Sequence, residues 1–323
     1  MKRRQSLQAL GAVALLPGLA WAQAPAWPTR PLKLIVPFPP GGTTDLVARL
    51  VATPMANGLG QPVVVDNKPG AGTVIGVDAG AKAAPDGLTL TCVANSFCVN
   101  QTLVRNLPYD GLRDLRPVSL MGQSEHVLAS HPGSGIRTIA DLRAAAQKPG
   151  ARLSYASFGS GTSAHLAGEM LREQMGIELT HIPYKGQAPA LNDLLGGQVT
   201  LMFGNWPEFR GHVQSGKLVA LGMATARRSA HAPELATLAE QGVAVESNSW
   251  NGLLVPAATP DALVQRLNAE LRRALDTPAV REAFAKGGIS SLAGTPEQFG
   301  AFIQSEISRY AQVIRSARIS ADS

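Results

Sequence analysis

The sequence predicts an α/β protein in two parts, with mostly parallel sheets. Short apolar runs alternate with amphipathic helical spacing along the whole chain. One unit, a strand running into a glycine loop and then a helix, occurs twice, at 32–55 and at 153–175. The length of 323 residues exceeds one typical domain and suits about two.

The first 24 residues read as a signal peptide. Lys2, Arg3 and Arg4 form a basic start, residues 9–20 an apolar core, and Ala20-Trp21-Ala22 and Ala22-Gln23-Ala24 two small-x-small cleavage sites. Arg3-Arg4 followed by Leu7 suits twin-arginine export, while Ser6 in place of the usual Phe leaves general secretion open. The apolar core is shorter than a bilayer span. The expected product is periplasmic, cut near Ala22 or Ala24. Its formal charge falls from +6 to +3 when Lys2, Arg3 and Arg4 leave. A mildly basic surface suits small anions. Aromatics at 5% and the lack of any Lys/Arg run speak against nucleic acid. Cys92 and Cys98 are near neighbours, and an oxidising compartment would permit a disulfide. Two buried thiols are the alternative, because 88–94 reads as a core strand.

In chain order, 32–36 is an apolar strand ended by Pro37, Pro39 and Pro40, which lack an N–H to donate. Gly41 and Gly42 allow a sharp turn. Thr43 or Thr44 stands where a helix N-cap belongs, with Asp45 in the first turn and Leu46, Val47, Leu50 and Val51 as one helical face. Residues 61–65 and 88–94 are strands, with a helix over 74–84 between them, and Asn95 and Ser96 follow the second strand directly. In open α/β sheets ligands sit beyond such strand ends. Two strands are expected at 117–120 and 127–129, and a helix capped by Thr138 over 138–147. The second glycine loop, Gly159-Ser160-Gly161-Thr162-Ser163, leads to a helix with Leu166, Ala167, Met170 and Leu171 on one face. A strand at 179–183, the loop Tyr184-Lys185-Gly186, a helix at 188–195 and strands at 199–203, 217–224 and 251–255 follow, with a short helix at 237–241. Helices at 261–275, 278–286 and 296–317 close the chain.

Both glycine loops place free helix N–H groups and a partial positive charge where an anion can sit. Gly159-x-Gly161-x-x-Ala164 fits a dinucleotide pattern, but Tyr184 and Lys185 stand where its acidic partner is needed. Phosphate-loop and nucleophile-elbow motifs are absent, and the six histidines show no ligand spacing. No cofactor, metal or catalytic residue is expected. His165, one turn into the second helix, is expected neutral, because a helix start disfavours its protonated form. Asp45 is more simply an answer to the helix dipole than a general base.

The ordered runs V-P-F-P-P-G-G-T-T-D, D-N-K-P-G-A-G-T-V-I-G, A-P-D-G, S-x-G-S-G-T-S-A-H-L, P-Y-K-G-Q-A-P-A-L-N-D-L-L-G-G-Q-V, T-L-A-E-Q-G and W-N-G-L-L-V-P-A-A-T-P resemble the substrate-binding proteins of tripartite tricarboxylate transporters, the Bug family. The likeness spans nearly the whole mature chain. It implies a type II periplasmic-binding-protein fold: two α/β lobes joined by two crossover strands, at 27–121 plus 248–323 and at 122–247. It also implies a small carboxylate clamped between the two glycine loops, a membrane permease of the same transporter type as partner, and a monomer. The ligand-binding residues implied by the loops and the strand ends are Phe38, Pro40, Gly41, Gly42, Thr43, Thr44, Asp45, Asn95, Ser96, Ser157, Gly159, Ser160, Gly161, Thr162, His165, Tyr184 and Asn205. The chain departs from the family pattern at Thr200 and Gly204, where Asp is usual. The missing acids make a ligand ammonium less expected, although Glu208 can restore the charge beside Asn205 and Trp206. A ligand sensor presenting its closed form to a membrane receptor is the alternative, with identical binding chemistry.

Overall fold

The computed structural model describes residues 27–317 and 319, so the expected signal peptide lies outside the described residues. The chain begins β1 (Leu32–Val36), α1 (Thr43–Leu59), β2 (Val63–Asn67), α2 (Val74–Ala81), β3 (Thr89–Ala94), α3 (Asn95–Leu103) and β4 (Leu115–Ser130). It continues through α4 (Ile139–Ala146), β5 (Ser154–Ser157), α5 (Ser163–Met175), β6 (Thr180–Pro183), α6 (Gln187–Leu195), β7 (Leu201–Asn205), α7 (Trp206–Gln214) and β8 (Val219–Met223). It ends with β9 (Asn248–Pro256), α8 (Asp261–Leu275), α9 (Pro278–Gly287), β10 (Ile289–Ser291) and α10 (Pro296–Ser316).

The strands are ordered β2-β1-β3-β9-β4-β7-β5-β6, with β8 and β10 also paired to β4. β1 runs parallel to β2 and β3, and β5 parallel to β6 and β7. Every pairing of β4 and β9 is antiparallel, so the sheet is mixed rather than mostly parallel. The expected strands at 117–120 and 127–129 are one strand of 16 residues. Gly122 does not break it: a side chain there would press on Ile289, Phe284 and the Ser290 carbonyl, so the glycine makes room for β10. β4 changes partners along its length. Residues 115–125 pair with β9, and residues 126–130 pair with β7 and β8. The chain crosses back beside it, where the His126 amide donates to the Ser247 carbonyl at 3.4 Å.

Helices cover both faces of each half of the sheet. Leu34, Val47, Val51, Leu90, Leu253 and Leu267 pack α1 and α8 on one face of the β1–β3–β9 half, and Val93, Phe97, Trp250 and Phe299 pack α3 and α10 on the other. Tyr155, Leu171 and Phe203 hold α5 against one face of the β5–β7 half, and Leu194, Met202 and Phe209 hold α6 and α7 against the other. Leu46 does not belong to the buried face of α1 and is 47% exposed, while Val47 and Val51 are fully buried. Cys92 and Cys98 are free buried thiols. They lie on opposite faces of the sheet, one in the α1 and α8 core and one in the α3 and α10 core, so no disulfide joins them.

Two helices were not anticipated, α3 and α7, because each starts at the residue directly after a strand with no intervening loop. In α7 Pro207 occupies the first turn, where its missing N–H is not needed. The α7 ring of Phe209 also explains Gly204: a Cβ at 204 would fall on that ring. Gly204→Ala should therefore cost about 1–3 kcal/mol through overpacking. The expected result is a lower urea midpoint at unchanged slope in equilibrium unfolding.

Candidate functional site

A cavity lies between the starts of α1 and α5. It leaves about 630 Å³ of empty space, open solvent at its mouth included. Gly42, Thr43 and Thr44 line it from the first loop, and Thr162 and Ser163 from the second. The N-cap of α1 is Gly42 rather than either threonine, and no side chain caps it. Thr162 is the N-cap of α5, and again no side chain caps the helix. The reason is that the nearby hydroxyls are engaged elsewhere. Thr43 Oγ1 donates to Glu208 Oε1 and accepts from Asn205 Nδ2 at 2.8 Å. Thr44 Oγ1 accepts from Asn251 Nδ2 at 2.9 Å, and Thr162 Oγ1 donates to the Gly159 carbonyl at 2.7 Å. The starts of α1 and α5 thus face one cavity without a side-chain cap, and the equally uncapped starts of α3, α6 and α7 reach the same wall.

Of the expected site residues, Phe38, Pro40, Gly42, Thr43, Thr44, Asn95, Ser96, Thr162 and Asn205 line this cavity. Gly159, Ser160 and Tyr184 line a second cavity that shares Phe38, Phe158 and Lys185 with the first. Gly41, Asp45, Ser157, Gly161 and His165 line neither and instead shape the loops. Gly41 adopts φ 92°, a left-handed conformation that glycine takes without strain. Asp45 braces that turn: its carboxylate accepts from the Gly41 amide at 3.1 Å, from Arg49 at 2.9 Å and from Asn67 at 2.9 Å. Burial pulls the Asp45 pKa up, but those hydrogen bonds outweigh it and hold the group below its ordinary value. His165 Nδ1 accepts from the Gly161 amide at 3.1 Å, which staples the second loop to its helix. Ser157 Oγ lies 2.7 Å from His181 Nε2.

Asn95 lines the cavity, but its side chain is largely committed to the scaffold. It donates to the Tyr310 hydroxyl at 2.7 Å and accepts from the Trp250 amide at 3.1 Å. The Tyr184 hydroxyl is likewise committed, donating to Asp193 at 2.6 Å. Sequence reasoning left out Lys185, Gln187 and Ser249, all in the cavity wall; Phe158 and Ser163, within the second loop's span, line it too. Lys185 stood in the quoted Pro-Tyr-Lys-Gly run as a cation between two glycine-flanked elements, which was signal enough. Ser249 gave no such signal. It reaches the wall because β9 crosses between the halves, where it sits 3.3 Å from Ser163 Oγ and 2.9 Å from His126 Nε2.

The rings of His126 and His165 are both buried, and burial pushes each pKa down to about 3; His181 adds to the effect on His165. The unfolded chain takes up protons at these positions below about 6.5, and the folded chain does so only near 3. The stability these neutral rings allow is therefore present above pH 6.5 and is lost as pH falls from there toward 3. Each ring should contribute a slope of about 1.4 kcal/mol per pH unit within that window. Urea unfolding at a series of pH values should show the loss, and neither ring should titrate by NMR between pH 5 and 8.

Comparison with known proteins agrees with this geometry. Residues 47–319 match the family described as Tripartite tricarboxylate transporter family receptor. The chain is 39% identical over 319 residues to Protein BugT of Bordetella pertussis (strain Tohama I), covering 98% of each chain. Among solved structures it is similar to the periplasmic binding protein BugD, with a TM-score of 0.85 and 34% identity over 91% of this chain and 99% of that one. It is similar to the same degree to R. palustris Rpa4515 with adipate, with a TM-score of 0.85 and 33% identity over 91% and 99% of the two chains. The fold is that of the type II periplasmic binding proteins, two α/β lobes joined by crossover strands. The chain belongs to the tripartite tricarboxylate transporter receptor family and is of the Bug type.

Proposed function

We propose that this protein captures a small carboxylate in the periplasm and delivers it to a membrane permease of the tripartite tricarboxylate type, without chemical turnover. The observation that carries the reading is one cavity walled by two uncapped helix starts, those of α1 and α5. Oriented N–H groups and helix dipoles favour an anion there. Lys185 lines the same wall and forms no ion pair with a described residue. Similarity to a protein solved with adipate supports a carboxylate.

In this reading the lobes, 27–121 plus 248–323 and 122–247, close on the ligand, and the protein acts as a monomer. Gly42, Thr43 and Thr44 on one side and Thr162 on the other supply the contacts, with Gly41, Gly159, Gly161 and His165 holding the loops in shape. Charge-assisted hydrogen bonds contribute about 1.5–3 kcal/mol each. Four or five of them, less the ordering costs, give roughly micromolar binding or better, near −8.2 kcal/mol. Because each lobe contributes, the ligand favours the closed form.

Mass spectrometry of the compound released on denaturing the purified protein should find a carboxylic acid. Thr162→Trp, which fills the cavity from the α5 side, should weaken binding of that compound by about 100-fold or more in calorimetry, roughly 2.7 kcal/mol. Unchanged affinity would sink the assignment of the cavity.

A further inference from the structure

The hydroxyl of Thr43 is engaged twice, and both partners come from the other half of the sheet. Thr43 opens α1, which packs on the β1–β3–β9 half. Its Oγ1 donates to Glu208 Oε1 and accepts from Asn205 Nδ2 at 2.8 Å. Asn205 ends β7, and Glu208 stands in the first turn of α7. A hydroxyl has one proton to give. Glu208 takes it, so the donor that Thr43 can turn to the cavity is its backbone N–H.

Glu208 lines neither cavity and sits behind the wall. Besides Thr43 it is hydrogen-bonded by Gln187 and Asn205, which do line the first cavity. The Asn205 amide in turn donates to Gln187 Oε1 at 3.1 Å. Glu208, Gln187 and Asn205 are thus one cluster in the β5–β7 half, and Thr43 is the residue that the other half inserts into it. Hydrogen bonds to an ionised group are roughly twice as strong as neutral ones. Nearby, the halves also meet by packing, as where Leu166 of α5 joins Val99 and Leu103 of α3. Packing is non-directional. The Thr43 bonds, by contrast, are made at one relative placement of the halves.

We propose that Glu208 is a positioning residue that latches the two lobes together: by holding the Thr43 hydroxyl it sets how readily they close, whichever acid lies between them. This rests on the reading that the lobes close on a ligand. Opening carries Thr43 away from Glu208 and Asn205, so these bonds belong to the closed form and favour it. Ligand and latch act on the same residue, the ligand through backbone N–H groups and the latch through the hydroxyl. Each therefore strengthens the other. Apparent affinity falls in proportion to the share of molecules in the binding-competent form. Loss of the latch should weaken every ligand by one common factor, whereas loss of a direct contact weakens different ligands unequally.

The test uses the full mature protein, stripped of bound ligand. Cys92 and Cys98 are buried, so spin labels can be confined to Thr53→Cys on α1 and Gln214→Cys on α7, both exposed positions. Glu208→Ala and Thr43→Val should each shift the label-to-label distances toward longer values before any ligand is added. Thr43→Val keeps the backbone N–H, and it decides the matter if Glu208→Ala does not fold. Calorimetry with succinate, adipate and benzoate should show each acid that binds weakened about tenfold by Glu208→Ala, by the same factor for all. The double variant should lose little more than either single one, because both remove one interaction. Unchanged distances, losses that differ among the acids, or losses that add in the double variant would overturn the latch. Failure of all three acids to bind or to shorten the wild-type distances would instead overturn carboxylate capture by lobe closure, with the ligand-free distances still judging the latch.

Discussion

Two uncapped helix starts, turned toward one space by a shared strand, are the constraint on which the structure depends. A helix start leaves N–H groups and partial charge that must be satisfied by something. In α4 and α10 threonines do this, through Thr138 to the Asp141 amide and Thr295 to the Gln298 amide. In α1 and α5 the chain has threonines within one residue of the same place and engages them elsewhere. α2, α8 and α9 also lack a side-chain cap, so what sets α1 and α5 apart from them is that their starts line the cavity.

β4 is what brings those starts together. Because residues 115–125 belong to one half of the sheet and residues 126–130 to the other, the halves share a continuous backbone ladder with β9 and β7. Contacts across the cavity then follow from side chains a long way apart in sequence, such as Thr43 with Asn205 and Glu208, and Ser163 with Ser249. His126 sits at the change of partners, held by Ser247 at 2.9 Å on one ring nitrogen and by Ser249 at 2.9 Å on the other. The wall of the cavity and the crossing point are therefore one hydrogen-bonded network.

Much of this was legible in the sequence, and the reason is local. A glycine corner between an apolar run and a helix announces itself by spacing, so both loops and most of the residues beside them were found. What was not legible was whatever topology delivers. Gln187 and Ser249 reach the wall only because strands from separate parts of the chain meet there. Asp45 and His165 were placed correctly on their helices, but their side chains turn back to brace the loops, a choice of rotamer that spacing does not reveal. α3 and α7 were missed because Asn95-Ser96-Phe97-Cys98 and Trp206-Pro207 carry little intrinsic helical preference and follow strands directly.

The placement of Cys92 and Cys98 on opposite faces of one sheet has a bearing on how the protein matures. Neither thiol is available to an oxidant, and burial pushes both well toward the protonated form, Cys92 to about 12. The chain reaches its fold with no covalent crosslink, so a reducing cytosol is no obstacle to it. Reducing and oxidising surroundings should therefore lead the chain to the same fold.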